Sequence, residues 1–169
     1  NNNSGTMKRG RQPVILVSLL GIILSGCSGS GLRPQPGLNA ALQRNADSRR
    51  EPALGQRWLV SIASRNGRER IELVDLRTRQ PVPLPGLNQA GSQPVSVRVS
   101  GNGERIAFVR TRDGRTELML YRRGAAALQR MPVEPTGVPR QVSLDGEGRR
   151  LAVQVSREGR WDVDVIRLP

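Results

Sequence analysis

Hydrophobic and polar positions fall into a pattern that recurs three times along the chain. Apolar runs at 58–63, 106–109 and 151–155 each enter a short polar turn, and a second run leaves it at 71–76, 118–122 and 163–168. Short runs rich in Val, Ile and Leu, bounded by Gly and polar residues, predict β-strands, here buried on both faces. The turns are near-copies: Ser64-Arg65-Asn66-Gly67-Arg68, Thr111-Arg112-Asp113-Gly114-Arg115 and Ser156-Arg157-Glu158-Gly159-Arg160. Asn-Gly and Asp-Gly favour two-residue type I′ hairpins, since both central residues need positive φ; Glu-Gly is a weaker version. Successive turn glycines are 47 and 45 residues apart, a period that signals stacked or radially arranged units.

A further block precedes the second and third copies. Pro94 to Gly103 matches Pro139 to Gly148, each running through a strand-like stretch into a Gly-rich turn. The unit is therefore a strand, a Gly-rich turn, a buried strand, the Arg-x-Gly-Arg hairpin and a third strand. A fourth, edge strand is expected at 82–87 and at 125–131, although Pro81, Pro83 and Pro85 limit the first to irregular pairing.

The front of the chain has another character. Residues 1–6, Asn, Ser, Gly and Thr without pattern, read as an upstream extension ahead of Met7. Lys8, Arg9 and Arg11 then precede an apolar run at 14–24. Eleven residues are too short for a membrane-spanning helix, which needs about 20, and they suit the apolar core of a secretory signal at 7–26. Residues 28–54 are Gly-, Ser- and Pro-rich and then polar, and the expectation is that 27–54 is a flexible linker and 55–169 the folded domain. A short helix at 38–46 is conceivable there, but it has too few apolar positions to bury a face.

The signal ends in Leu24-Ser25-Gly26-Cys27. This resembles the lipobox of bacterial lipoproteins at all four positions. The resemblance implies lipid transfer to the Cys27 thiol, cleavage before Cys27 and acylation of the new amino terminus, and several acyl chains anchor stably where one binds marginally. Ser28 in place of an Asp is similar to lipoproteins sent on to the outer membrane. The localisation so implied is export and lipid anchoring facing the periplasm.

Composition narrows the chemistry. Histidine is absent and Cys27 is the single cysteine, which removes His-dependent triads, most zinc and iron sites and any internal disulfide. No cofactor or metal is expected. Three of the 27 basic residues precede Cys27 and all 14 acidic ones follow it, so the remainder carries a net +10, every positive charge an arginine. Such a surface attracts polyanions and anionic headgroups. Aromatics are restricted to Trp58, Phe108, Tyr121 and Trp161, so the core is built from Val, Leu, Ile and Ala, and few rings remain for stacking nucleic acid, which is not an expected partner.

The repeat resembles that of TolB-type β-propellers, related in outline to the propeller of dipeptidyl peptidases. The resemblance rests on Ser100, Gly103, Arg105, Ile106, Ala107, Phe108, Thr111, Arg112 and Gly114 in the second copy. In the last it rests on Gly148, Arg149, Arg150, Leu151, Ala152, Ser156, Arg157 and Gly159, and in the first on Ser64, Arg65, Gly67 and Asp75. It covers about two-thirds of the chain and implies an all-β fold, a partial β-propeller of about three blade-like antiparallel sheets. A closed ring takes at least about four blades. An open set leaves sheet edges and apolar faces that favour assembly; of a free-standing three-sheet wedge, closure through self-association and a fragmentary relic, the wedge with weak self-association is expected.

Equivalent hairpins lie on one rim, so Arg65, Arg68, Arg112, Arg115, Arg157 and Arg160 form a candidate basic edge. Guanidinium forks pair with phosphate or carboxylate bidentately. Asp75, Asp162 and Asp164 lie at strands, and paired carboxylates can do glycosidase work, but strand-end Asp residues in such repeats more often bond turn backbone. No catalytic residue is assigned. The expected function is a non-catalytic protein-interaction or scaffold module of the cell envelope, meeting envelope proteins or itself through blade edges. The alternative is an anion-binding lipoprotein that contacts lipopolysaccharide, peptidoglycan or acidic lipid through the arginine rim.

Overall fold

Residues 31–45 and 47–169 are described by a computed structural model. The signal segment, the lipobox and Cys27 lie outside the described residues. Among the described residues, one short helix, α1 (Pro36–Gln43), precedes eleven antiparallel strands. The first sheet runs in the order β1 (Ser48–Leu54), β2 (Trp58–Arg65), β3 (Arg68–Asp75), β4 (Gln80–Val82). The second repeats that order with β5 (Ser92–Val99), β6 (Arg105–Arg112), β7 (Arg115–Arg122) and β8 (Ala127–Met131). The third has three strands, β9 (Val138–Leu144), β10 (Arg150–Arg157) and β11 (Arg160–Arg167), with β10 in the middle. The architecture is the expected partial β-propeller of three blade-like sheets.

Each predicted hairpin is present. Asn66 and Gly67, Asp113 and Gly114, and Glu158 and Gly159 all have φ between 47° and 78°, the double left-handed conformation of a type I′ turn. The third turn adopts it with Glu in the first position. Pairing starts at the turn itself, Arg65 opposite Arg68, Arg112 opposite Arg115 and Arg157 opposite Arg160, so the outgoing strands begin earlier than their apolar residues suggest.

The sheets stack face to face. In β6 and β7 alternate side chains serve two different cores. Ile106, Phe108, Met119 and Tyr121 join Trp58, Val60, Ile62, Ile71 and Leu73 against the first sheet. Ala107, Val109, Leu118 and Leu120 join Val142, Leu151, Val153 and Val155 against the third. The period of two in a strand makes this division automatic, and each side chain so buried contributes roughly 1.5–3 kcal/mol. The innermost strand of each sheet lies across its predecessor: β5 touches β1, β2 and β3, and β9 touches β5, β6 and β7.

Three expectations differ from the structure. Residues 48–54, read as the end of a linker, form β1, the inner strand of the first sheet, and 36–43 form α1. β1 is hidden in sequence because Ser48-Arg49-Arg50-Glu51 is polar, and hydrogen bonding to β2 rather than an apolar face holds it. The first fourth strand is Gln80–Val82 instead of 82–87, since Pro83 and Pro85 stop it; Asn88 closes the rest of that edge by accepting from Ile71 N–H (2.8 Å) and donating to Ile71 O (2.9 Å). β10 is fully buried on one face only, because its other face has no sheet against it among the described residues.

Backbone and arginine hold the blades at close spacing. Gln56 N–H donates to Gly101 O (3.0 Å), and Gly101 N–H donates to Gly146 O (2.8 Å), one such bond per blade junction. Arg50 spans the first junction, bonded to Val95 O, to Pro94 O and by two nitrogens to Glu69. Arg105 spans the second through Gly148 O (2.8 Å). Trp58 lies buried with the Arg57 and Arg123 guanidinium carbons 4.7 and 4.5 Å from its ring centroid, close enough for cation–π attraction.

Gly103 sits at φ 74° against that indole, where a Cβ would overlap the ring. Gly114 has almost the same φ but open space around it. Gly114→Ala is therefore expected to cost about 1–2 kcal/mol of backbone strain, and Gly103→Ala at least about 2 kcal/mol more from overpacking. Urea unfolding of both variants measures the difference, and equal losses would show that the Trp58 junction is not tightly packed.

Candidate functional site

The three hairpins occupy the equivalent end of each sheet, as the repeat requires, and they carry the six rim arginines. The structure divides these into two sets. The arginine before each turn is engaged within the protein. Arg65 Nε donates to Asp47 (2.6 Å), Arg112 Nη1 donates to Gln89 Oε1 (2.6 Å), and Arg157 donates to Asp162 (3.4 Å), to both oxygens of Asp164, and to Pro135 O (2.9 Å). The arginine after each turn, Arg68, Arg115 or Arg160, is exposed and makes no ion pair with the described residues.

Strand alternation explains the first set. Arg157 follows Leu151, Val153 and Val155 on the face of β10 that packs on the second sheet, so its guanidinium must find carboxylates there; Asp162 and Asp164, on the same face of β11, supply them. The second sheet repeats the arrangement with Arg110, buried and paired to Glu117 (3.0 Å) and to Gln89 (2.8 Å). The first sheet does so with Arg70 between Asp47 (2.7 Å) and Glu72 (3.1 Å). Each blade thus carries an arginine–carboxylate pair near its hairpin, facing the preceding side.

These pairs shift the acids. Hydrogen bonds from Arg70 and then Arg65 hold the Asp47 carboxyl below its ordinary value, and those from Arg157 hold Asp164 below its own. Asp75, the third candidate acid, accepts from Arg77 N–H (3.0 Å) and from Arg57 (2.6 Å), the turn-bonding role expected of a strand-end Asp. All three strand carboxylates singled out from the sequence are therefore occupied by arginine or backbone.

The opposite surface of the third sheet was not foreseen as a site. Trp161, Val163 and Val165 alternate along β11 and point away from the second sheet, and all three are exposed. Beside them Asp145, Glu147, Arg149, Arg150 and Arg167 line an open concavity of about 470 Å³ that also includes Val165. The signal that would have located this face is positional: Val163 stands four residues after its turn glycine, as Ile71 and Leu118 do.

A carboxylate whose folded pKa is depressed gives stability that is complete above its unfolded value and lost as pH falls through the folded one. For Asp47 and Asp164 the loss begins below their ordinary value near 3.8. Thermal melts from neutral pH downward should hold steady to about pH 4 and then fall, with a shallower acid fall in Asp164→Asn. Parallel acid profiles for the two proteins would remove the Arg157–Asp164 pair from the account.

No family model matches the chain, and no curated protein does. Solved structures do. Over 69% of its length the chain is similar to TolB from Acinetobacter baumannii, with 20% identity and a TM-score of 0.55, covering 29% of that protein. It is also similar to the β-propeller domain of the Trilobed protease from Pyrococcus furiosus, which has an open velcro topology (12% identity, TM-score 0.56, 72% of this chain and 39% of that one). A protein of Agrobacterium tumefaciens described as a TolB gives 12% identity and a TM-score of 0.53, over 70% of this chain and 44% of that one. The chain spans less than half the length of each. At these identities the likeness speaks for the fold: the described residues are three blades of a TolB-like β-propeller.

Proposed function

We propose that this chain is a non-catalytic protein-interaction module of the cell envelope, exported and tethered through Cys27, which meets other envelope proteins through its blade surfaces. The observation that carries the reading is the outer face of the third blade, where Trp161, Val163 and Val165 are exposed among the described residues and are rimmed by charge. Exposed apolar patches of this kind mark contact sites. Support for the setting comes from the lipobox resemblance of Leu24, Ser25, Gly26 and Cys27 and from the fold shared with TolB structures. The engagement of Asp75, Asp162 and Asp164 by arginine and backbone leaves those carboxylates committed to structure.

One observation favours the anion-binding reading as an alternative. Arg68, Arg115 and Arg160 present three exposed guanidiniums at equivalent positions, whereas their partners across each turn are engaged. If a phosphate- or carboxylate-bearing envelope polymer is bound, these three hold it.

Salt separates the two, because screening weakens exposed charge contacts and leaves apolar ones in place. The tagged full-length protein, cross-linked in membranes and eluted at low and at moderate salt, should retain a discrete set of envelope proteins at both. The triple variant Arg68→Gln, Arg115→Gln, Arg160→Gln should retain the same set. Recovery of anionic polymer or lipid alone, released by salt and lost in the triple variant, would transfer the function to the rim.

A further inference from the structure

The three blades can be compared position by position. Ile71 and Leu73 in β3 correspond to Leu118 and Leu120 in β7 and to Val163 and Val165 in β11, each pair four and six residues after its turn glycine. In the first two blades these residues are 0–2% exposed, sealed by the following blade. In the third they are 69% and 71% exposed, and Trp161 beside them is 58% exposed.

The glycines repeat the same break. A Cβ on Gly55 would come within 2.6 Å of Ser100 O, and one on Gly101 within 2.8 Å of Gly146 O, so both stand where the next blade's backbone presses close. Gly146, the counterpart of Gly101, has nothing within 4 Å of that position. The edge behaves likewise. Ile71 is closed by Asn88 and Leu118 pairs with Met131, whereas Val163 sits on an outer strand with no partner beyond it among the described residues. Face, turn and edge of the third blade all keep the form of a blade that receives another sheet.

We propose that this face is a self-association surface, occupied by the same face of a second copy related by a two-fold axis; the proposal rests on the interaction-module reading above and locates it. Two observations select that occupant. The first is that the outer face of the first blade is closed already: Ser61, Ala63 and Val74 are buried there, and Arg49, Arg70, Glu72 and Asp47 cross it in ion pairs. A copy added head to tail would have to break that network, so stacking into filaments is disfavoured and assembly stops at two. The second is that the third blade's face is complementary to itself. Its middle is apolar, and its turn end carries both signs, Asp145 and Glu147 beside Arg149, Arg150 and Arg167. Asp145 and Glu147 are paired to Arg150 and Arg149 within the chain, and Arg167, with no carboxylate partner among the described residues, is the cation of this face left to meet an acid of the second copy.

The net +10 of the chain beyond Cys27 opposes this contact at low ionic strength. Association therefore tightens as salt rises, the reverse of an arginine-rim ligand. The test is density-matched sedimentation equilibrium of the full-length chain in non-ionic detergent, at low and moderate salt, for the unaltered protein, Val163→Arg and Val165→Asp. Expected are a dimer that strengthens with salt in the first, monomers in both variants, and a red shift of Trp161 emission on dilution that Trp161→Phe removes. Far-UV circular dichroism and melting of the variants establish that they fold, as their exposed positions predict. A monomer at every concentration, a dimer that survives both substitutions, or species larger than a dimer would each overturn the proposal. A monomer that still retains its envelope proteins in the cross-linking experiment overturns this inference alone and leaves the interaction-module reading in place.

Discussion

The structure depends on one constraint: a sheet of this composition cannot bury its apolar residues within itself and must borrow the face of a neighbour. Three of the four aromatics, Trp58, Phe108 and Tyr121, lie in the layer between the first two sheets, and aliphatic side chains make up most of the rest of both layers. The second blade is stable because both its faces are sealed, Ile106 and Phe108 on one side and Ala107 and Val109 on the other. Each sealed Val, Leu or Ile gives roughly 1.5–3 kcal/mol, a substantial part of the 5–15 kcal/mol that usually separates folded from unfolded chains. The repeat is thus a way of making each unit complete the one before it.

That requirement explains the glycines and part of the arginine content. Aliphatic layers give contact only where the backbones approach closely, and Gly55 and Gly101 permit the approach because a Cβ at either would strike a carbonyl of the following blade. The same approach leaves carbonyls at the junctions in need of donors. Arg50 and Arg105 supply several at once, reaching Val95, Pro94 and Gly148. A long, always-charged fork with several donors suits this task better than any shorter side chain. The strong positive charge, which in sequence reads as a property of the surface, is in part a means of joining blades.

The hairpins and buried strands were legible in the sequence because their determinants are local. Positive φ at two consecutive residues restricts the turn to Asn-Gly, Asp-Gly and their relatives, and alternation of Val, Ile and Leu marks the strands that follow. β1 escaped because it is held by its pairing with β2, and Arg49 and Arg50 carry no trace of that in their own pattern. The rim divided for a similar reason. Arg65 and Arg68 look alike in sequence, yet Arg65 turns toward Asp47, a residue that linear reading assigned to the tether. What sequence does not display is which of two like residues will meet a partner distant along the chain.

The third blade shows how, on the proposed reading, a structural repeat supplies a contact surface. Its inner face is ordinary, with Arg157 clasped by Asp162 and Asp164 as Arg110 is by Glu117. Its outer face obeys the same alternation but has no sheet against it among the described residues, so Val163 and Val165 stand exposed where their counterparts are buried. The cost of that exposure is of the order of the gain each counterpart provides, roughly 1.5–3 kcal/mol per side chain, and polar substitution on the strand would remove it at once. On the proposed reading, the physics that closes one blade on the next is also what would give this face affinity for a partner, with the charged turn around Asp145 and Arg167 setting which face fits.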